Sequence, residues 1–128
     1  MRRKFLLKVM ILSLLFVALG GGYLYSQEFR ELLVNCDYNS SVEGYGTTKF
    51  SNYAGAYAYA TANDNKATIV IEKTNTLSGN TFDNNHKNYS KLAVVIKDGA
   101  TMGNALSKWD MTYPVTVEPG GTLTCARP

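Results

Sequence analysis

The sequence predicts an all-β domain, a small antiparallel β-sandwich or barrel, behind an N-terminal signal or anchor helix. Three observations predict it. Residues 53–62 alternate strictly between alanine and a second set, Tyr53, Gly55, Tyr57, Tyr59 and Thr61. Three later segments each show an apolar-x-apolar triplet followed by Thr and an apolar residue. Two cysteines, Cys36 and Cys125, stand near the two ends of the chain that follows the leader. A chain of 128 residues holds one domain at most. Residues 1–26 therefore read as signal peptide or membrane anchor, and 27–128 as a single β-rich domain.

The leader has three parts. Arg2, Arg3 and Lys4 form a basic start, residues 9–19 are almost wholly apolar, and Gly20, Gly21 and Gly22 follow. A bilayer core of about 30 Å needs roughly 20 apolar residues, so this run fits a signal sequence better than a span. Cleavage after Gly20 or Ser26 is expected, with a retained single-pass anchor as the alternative. The chain is accordingly expected to be secreted, periplasmic or at the cell surface. The leader also explains the charge. Four of the 13 Lys and Arg residues lie in the first eight positions, which leaves nine against ten acids and a net of −1 beyond them. With its basic residues scattered singly, the domain offers no nucleic-acid surface. A charged share of only 18% and an aromatic share of 12% exclude a disordered chain.

In an exported protein an even pair of cysteines reads as one disulfide. Cys36–Cys125 would close a loop of about 90 residues, worth about 4 kcal/mol in the chain-entropy model. Such a staple favours a closed fold over an open stack, because a disulfide needs its Cα atoms within about 7 Å.

The elements follow in order. Residues 35–48 are turn-rich. The alternation over 53–62 predicts a strand with alanines on one face and Tyr53, Tyr57 and Tyr59 on the other. Asn63, Asp64, Asn65 and Lys66 then turn the chain. Ala67 and Thr68 stand where a calcium loop of the EF-hand kind needs a further oxygen ligand and a glycine. The three similar segments start at Ile69, Val94 and Val115, and their threonines stand seven residues on, at Thr76, Thr101 and Thr122. Asp98-Gly99 and Pro119-Gly120 supply tight-turn chemistry between the halves. The repeat reads as β-hairpins packed into an antiparallel sandwich, or as coils of a short β-solenoid.

Two resemblances attach to these residues. The run Asn80-Thr81-Phe82 with Asn84 and Asn85, and the stretch from Val115 through Pro119-Gly120-Gly121 to Leu123, resemble coils of secreted β-helical surface proteins. That resemblance covers residues 68–125 and implies a stacked β-domain with no catalytic residue. Gly44-Tyr45-Gly46, then Ser51-Asn52-Tyr53 and Ala67 to Val70, are similar to the start of lactococcin-type bacteriocins over residues 44–70. This second resemblance implies a toxin acting on a cell envelope. The paired cysteines depart from it. A pilin-like subunit has a similar outline, but Val9 stands where such a helix carries Glu.

The lone His86 lies in a polar loop with Asp83 and Asn85, and no triad spacing surrounds it. No enzyme, cofactor or metal site is expected. Seven tyrosines lie beyond Ser26, together with Trp109, Phe29, Phe50 and Phe82. The candidate binding residues are Tyr53, Tyr57 and Tyr59 with Asp83, Asn85 and His86. A tyrosine ladder beside polar groups suits a protein or glycan surface. The expected function is a small exported, non-catalytic β-domain for binding or adhesion. It meets a membrane only through residues 1–26, and only if they are uncleaved.

Overall fold

The computed structural model describes residues 30–124. Within them the order is β1 (Arg30–Asn35), β2 (Lys49–Phe50), α1 (Tyr53–Ala62), β3 (Ala67–Lys73), β4 (Thr81–Phe82), β5 (Leu92–Ile96), β6 (Thr101–Asn104), β7 (Val115–Val117) and β8 (Thr122–Leu123). One sheet has the order β2-β1-β3-β5-β7 and the other β4-β6-β8. All the strand pairs are parallel. From β3 onward the chain therefore winds: each turn lays a strand on the first sheet, rounds a corner, lays a strand on the second, and returns one rung further on.

This overturns the antiparallel sandwich. A hairpin pairs the two strands that flank its turn, but here those strands lie in different sheets. Asp98-Gly99 and Pro119-Gly120 are corners of a coil. Gly99 and Gly120 both have φ of +89°, as tight turns demand, so the residue chemistry is the same in either fold. The corners stack on one another. The Gly99 N–H donates to the Gly120 carbonyl at 3.0 Å, and a Cβ on Gly120 would stand 2.0 Å from Asp98 Oδ1.

The all-β class is overturned as well, because residues 53–62 are helix α1, not a strand. Alanine fills five of the ten positions and is the best helix former. Tyr53, Ala56, Tyr57 and Ala60 form the buried stripe at i, i+3, i+4 and i+7. Tyr59 falls outside that stripe and packs on Phe50, ring centroids 5.6 Å apart. The alternation was a real pattern, but alanine suits either face, so it fixed no period.

The N-terminus of α1 is satisfied by its surroundings. The Gly55 N–H donates to the capping Asn52 side chain at 2.9 Å. The Ala54 N–H donates to the Gly79 carbonyl at 2.9 Å. The Tyr53 N–H donates to Oδ1 of Asn80 at 2.8 Å. These are the donors a helix leaves orphaned in its first turn.

Asn80 reaches that position through an irregularity in the repeat. The seven-residue spacing holds in the last two rungs, where Val94 pairs with Val115 and Thr101 with Thr122. In the rung before, Thr81 pairs with Gly103. Gly79, not Thr76, therefore stands opposite Thr101, and the corner at 74–78 is three residues longer. Asn80 is left opposite Met102, in a slot that faces the core. It is 1% exposed, and its Nδ2 donates to the Thr76 carbonyl at 3.0 Å.

The core is the column of aliphatic side chains inside the coil. Leu32, Val34, Ile69, Ile71, Val94, Ile96, Phe82 and Met102 are buried, and each aliphatic one contributes about 1.5–3 kcal/mol. Helix α1 packs over β1, β2 and β3 at the first end of the stack.

The expected leader helix of residues 1–26 lies outside the described residues, and so does Cys125. Cys36 is a free thiol. It sits on the first rung, its N–H bonded to the Lys73 carbonyl at 3.1 Å. Thr124 is on the fourth rung, bonded to the Met102 carbonyl at 3.0 Å. Three rung spacings make about 14 Å. Among the described residues no helix is long and apolar enough to cross a membrane.

Asn80→Ala would orphan a buried N–H and a carbonyl together. It is expected to lower the unfolding free energy by about 2–3 kcal/mol, more than the about 1 kcal/mol of Asn52→Ala. Urea denaturation of both variants measures the order, and equal losses would contradict the role given to Asn80.

Candidate functional site

Two long connections leave the second sheet on the same flank of the stack. Residues 83–91 join β4 to β5, and residues 105–114 join β6 to β7. They are tied together. The Thr112 N–H and Oγ1 donate to the Lys87 carbonyl at 3.0 and 2.8 Å. Lys87 Nζ lies 2.9 Å from Asp110 Oδ2, and that lysine holds the Asp110 carboxyl below its usual range.

Helix α1 lays its buried tyrosines against the first of these loops. The Tyr113 hydroxyl donates to the His86 carbonyl and meets the Tyr53 hydroxyl, which lies 3.1 Å from the same carbonyl. Each phenol has one proton, so Tyr113 donates to the carbonyl and Tyr53 donates to Tyr113. The Tyr57 ring stands edge-on to His86 at 5.0 Å and the Tyr53 ring at 5.9 Å. Burial, before any other cause, pushes the Tyr53, Tyr57 and Tyr113 phenols up.

The structure thus brings Tyr53, Tyr57, Asp83 and His86 together, but in an arrangement the sequence reading did not foresee. Tyr53 is fully buried and Tyr57 is 8% exposed, so neither forms a surface ladder. Tyr59 lies apart, its hydroxyl accepting from Arg30 at 3.4 Å. Asp83, Asn85 and His86 remain at the surface. Asp83 Oδ1 accepts from the Asn85 N–H at 2.9 Å and stands 2.9 Å from His86 Nδ1. That second contact lacks the alignment of a hydrogen bond. Among the described residues no group of three or more His, Cys, Asp or Glu side chains could hold a metal ion.

A further candidate, which the sequence reading did not place among the binding residues, is Trp109. It lies on the second connection, 48% exposed, with its ring edge-on to the buried Phe82 at 5.9 Å. A signal was present. The only tryptophan of the chain stands in Ser107-Lys108-Trp109-Asp110, with no apolar neighbour to draw it inward. At the opposite corner an open depression of about 290 Å³ is lined by Thr74, Asn75, Thr76, Leu77 and Thr101. It is separate from the Trp109 surface.

The raised phenols set the alkaline limit of the fold. The unfolded chain releases these protons near pH 10, while the folded chain keeps them. Their contribution is therefore full below pH 10 and is lost as pH rises beyond it. Stability measured by urea is expected to fall steeply above pH 10, and a flat profile to pH 11.5 would contradict the buried network. Tyr113→Phe removes the donor to the His86 carbonyl and is expected to cost about 1–2 kcal/mol at neutral pH, read as a lower urea midpoint.

Comparison with family models, with curated proteins and with solved structures finds no match for this chain.

Proposed function

We propose that this chain is a non-catalytic binding module of the cell surface or envelope, and that its ligand is a glycan laid on Trp109 and the polar loop beside it. The observation that carries this reading is Trp109, half-exposed yet anchored on Phe82. The largest side chain type is held in water with little freedom to fold away. A flat indole offers stacking area at low entropy cost. Asp83, Asn84, Asn85 and His86 follow directly on Phe82 and supply the hydrogen-bonding groups that a polyhydroxylated ring needs.

The frame beneath supports binding. Tyr113 fixes the loop by donating to the His86 carbonyl, Tyr53 backs it by donating to Tyr113, and the Lys87–Asp110 pair ties the two connections together. A surface ordered beforehand loses less entropy when its ligand arrives. The same features favour binding over catalysis. The phenols are buried and hold their protons, and the Asp83–His86 contact is out of line for a proton relay. The basic and apolar leader of residues 1–26 favours an extracytoplasmic location.

Because Trp109 is the only tryptophan, its fluorescence reports on this surface alone. The full chain is titrated with a panel of neutral and acidic oligosaccharides. At least one probe is expected to shift the emission in a saturable way, and Trp109→Ala to weaken retention on that immobilised glycan tenfold or more, about 1.4 kcal/mol. No shift from any probe, or equal retention of the variant, would rule the reading out.

A further inference from the structure

The two ends of the stack are finished differently. At the first end β2 covers the edge of β1, and α1 packs beside it. At the other end β7 and β8 are the outer strands of their sheets, and among the described residues no strand pairs with their free edges. The core positions of this last rung are uncovered. Val117 stands in register with Ile96 and, through it, with Ile71. Val117 is 42% exposed where both isoleucines are fully buried. Val115 and Leu123 are only half-buried.

The unpaired backbone groups sit beside this apolar floor. The Val94 N–H donates to the Pro114 carbonyl at 3.0 Å, and the Glu118 N–H donates to the Ile96 carbonyl at 2.9 Å. In a parallel ladder that pattern turns the N–H and C=O of Val115 and Val117 outward. The N–H groups of Thr122 and Thr124 donate to the Ala100 and Met102 carbonyls, each at 3.0 Å, which turns the groups of Leu123 outward. Neither strand carries a charged residue, and Glu118 at the corner is held by Lys97 at 3.5 Å. The charges that usually protect a free edge are missing from both strands.

We propose that a second copy of this chain docks on this end about a two-fold axis, joining β7 to β7 and β8 to β8 as antiparallel pairs. The rung is self-complementary. Counting outward from the corner at 118–121, Thr116 lies across the coil from Leu123. A single two-fold axis through both residues serves both sheets at once. It sets Val115 opposite Val117 of the second copy, and each such pair exchanges two hydrogen bonds. It sets Leu123 opposite its own copy, which exchanges two more. Thr116 faces Thr116 at a non-hydrogen-bonded position, with no like charges opposed. The Val115, Val117 and Leu123 side chains of the two copies then close one continuous core, which a closed point-group dimer permits.

The full chain, held in a mild detergent, is measured by light scattering for the mass of its protein component. Twice the chain mass is expected, falling to one chain for Val117→Lys with the circular dichroism unchanged. A second arm uses chains with Cys36→Ser and Cys125→Ser. There Thr116→Cys, treated with diamide, is expected to form a covalent dimer about tenfold or more faster than Ser78→Cys, since Cα atoms at such a position stand about 4.5 Å apart, within disulfide reach. A monomeric wild type overturns the proposal. So does a dimer that survives Val117→Lys, or cross-linking of Thr116→Cys no faster than that of Ser78→Cys. Glycan binding by Trp109 is read separately, by its fluorescence, and does not depend on this result.

Discussion

The carboxamide of Asn80 is the contact on which the rest of this structure depends. A coil of stacked strands wants an aliphatic side chain at each inward slot, and Met102 and Leu123 fill two of them. Asn80 occupies the slot before Met102 and spends both ends of its amide there. One end accepts from the first N–H of α1, and the other donates to the corner at Thr76. A buried amide is tolerable only when both ends are bonded. Asn80 therefore fixes where the helix begins and how the longer corner folds. The start of α1 in turn decides that Tyr53 and Tyr57 face inward over the 83–88 loop, and so where His86 and Asp83 are held.

Much of the strand content was legible in the sequence, but its pairing was not. Ile69, Ile71, Val94, Ile96, Val115 and Val117 all stand at inward positions, as their alternation requires. Glycine after Asp98 and Pro119 marked real corners. A turn that joins two strands of one sheet and a corner that joins two sheets ask for the same φ, so only long-range pairing separates them. The count of seven residues from Val94 and Val115 to their threonines held. The same count from Ile69 to Thr76 matched by composition alone, because three extra residues push the true equivalent to Gly79. Presuming a Cys36–Cys125 bond drew the reading toward a closed fold, while Cys36 is a free thiol on the first rung.

The site was legible in part and for a mixed reason. Tyr53, Tyr57, Asp83 and His86 do meet, yet the two tyrosines meet the loop from inside. A period of two placed them on a surface, and a period of 3.6 placed them in the core. Tyr59, equal to them in the alternation, is separated from them by the helix geometry. Trp109 stands on a connection between the repeated strand segments, where no periodicity in the sequence encodes which side chains stay exposed. In a stacked coil the strands are committed to the core and to each other. Variation in length and exposed chemistry is left to the connections.

The direction of winding also settles how two copies would present their surfaces. The connection that carries Trp109 enters β7 at its first residue, so it lies at one end of that strand, with the corner at 118–121 at the other. A two-fold axis through Thr116 and Leu123 reverses the strand. The Trp109 surface of one copy would then sit beside the corner of its mate, and the two tryptophans would lie on opposite flanks of the pair. Two sites facing apart bind one compact ligand no better than one site does. They gain by avidity only on a target that presents many copies of the same group, or on two surfaces brought together. A polymeric envelope glycan, the ligand proposed for Trp109, has that property, so the proposed pairing and the proposed binding would reinforce one another.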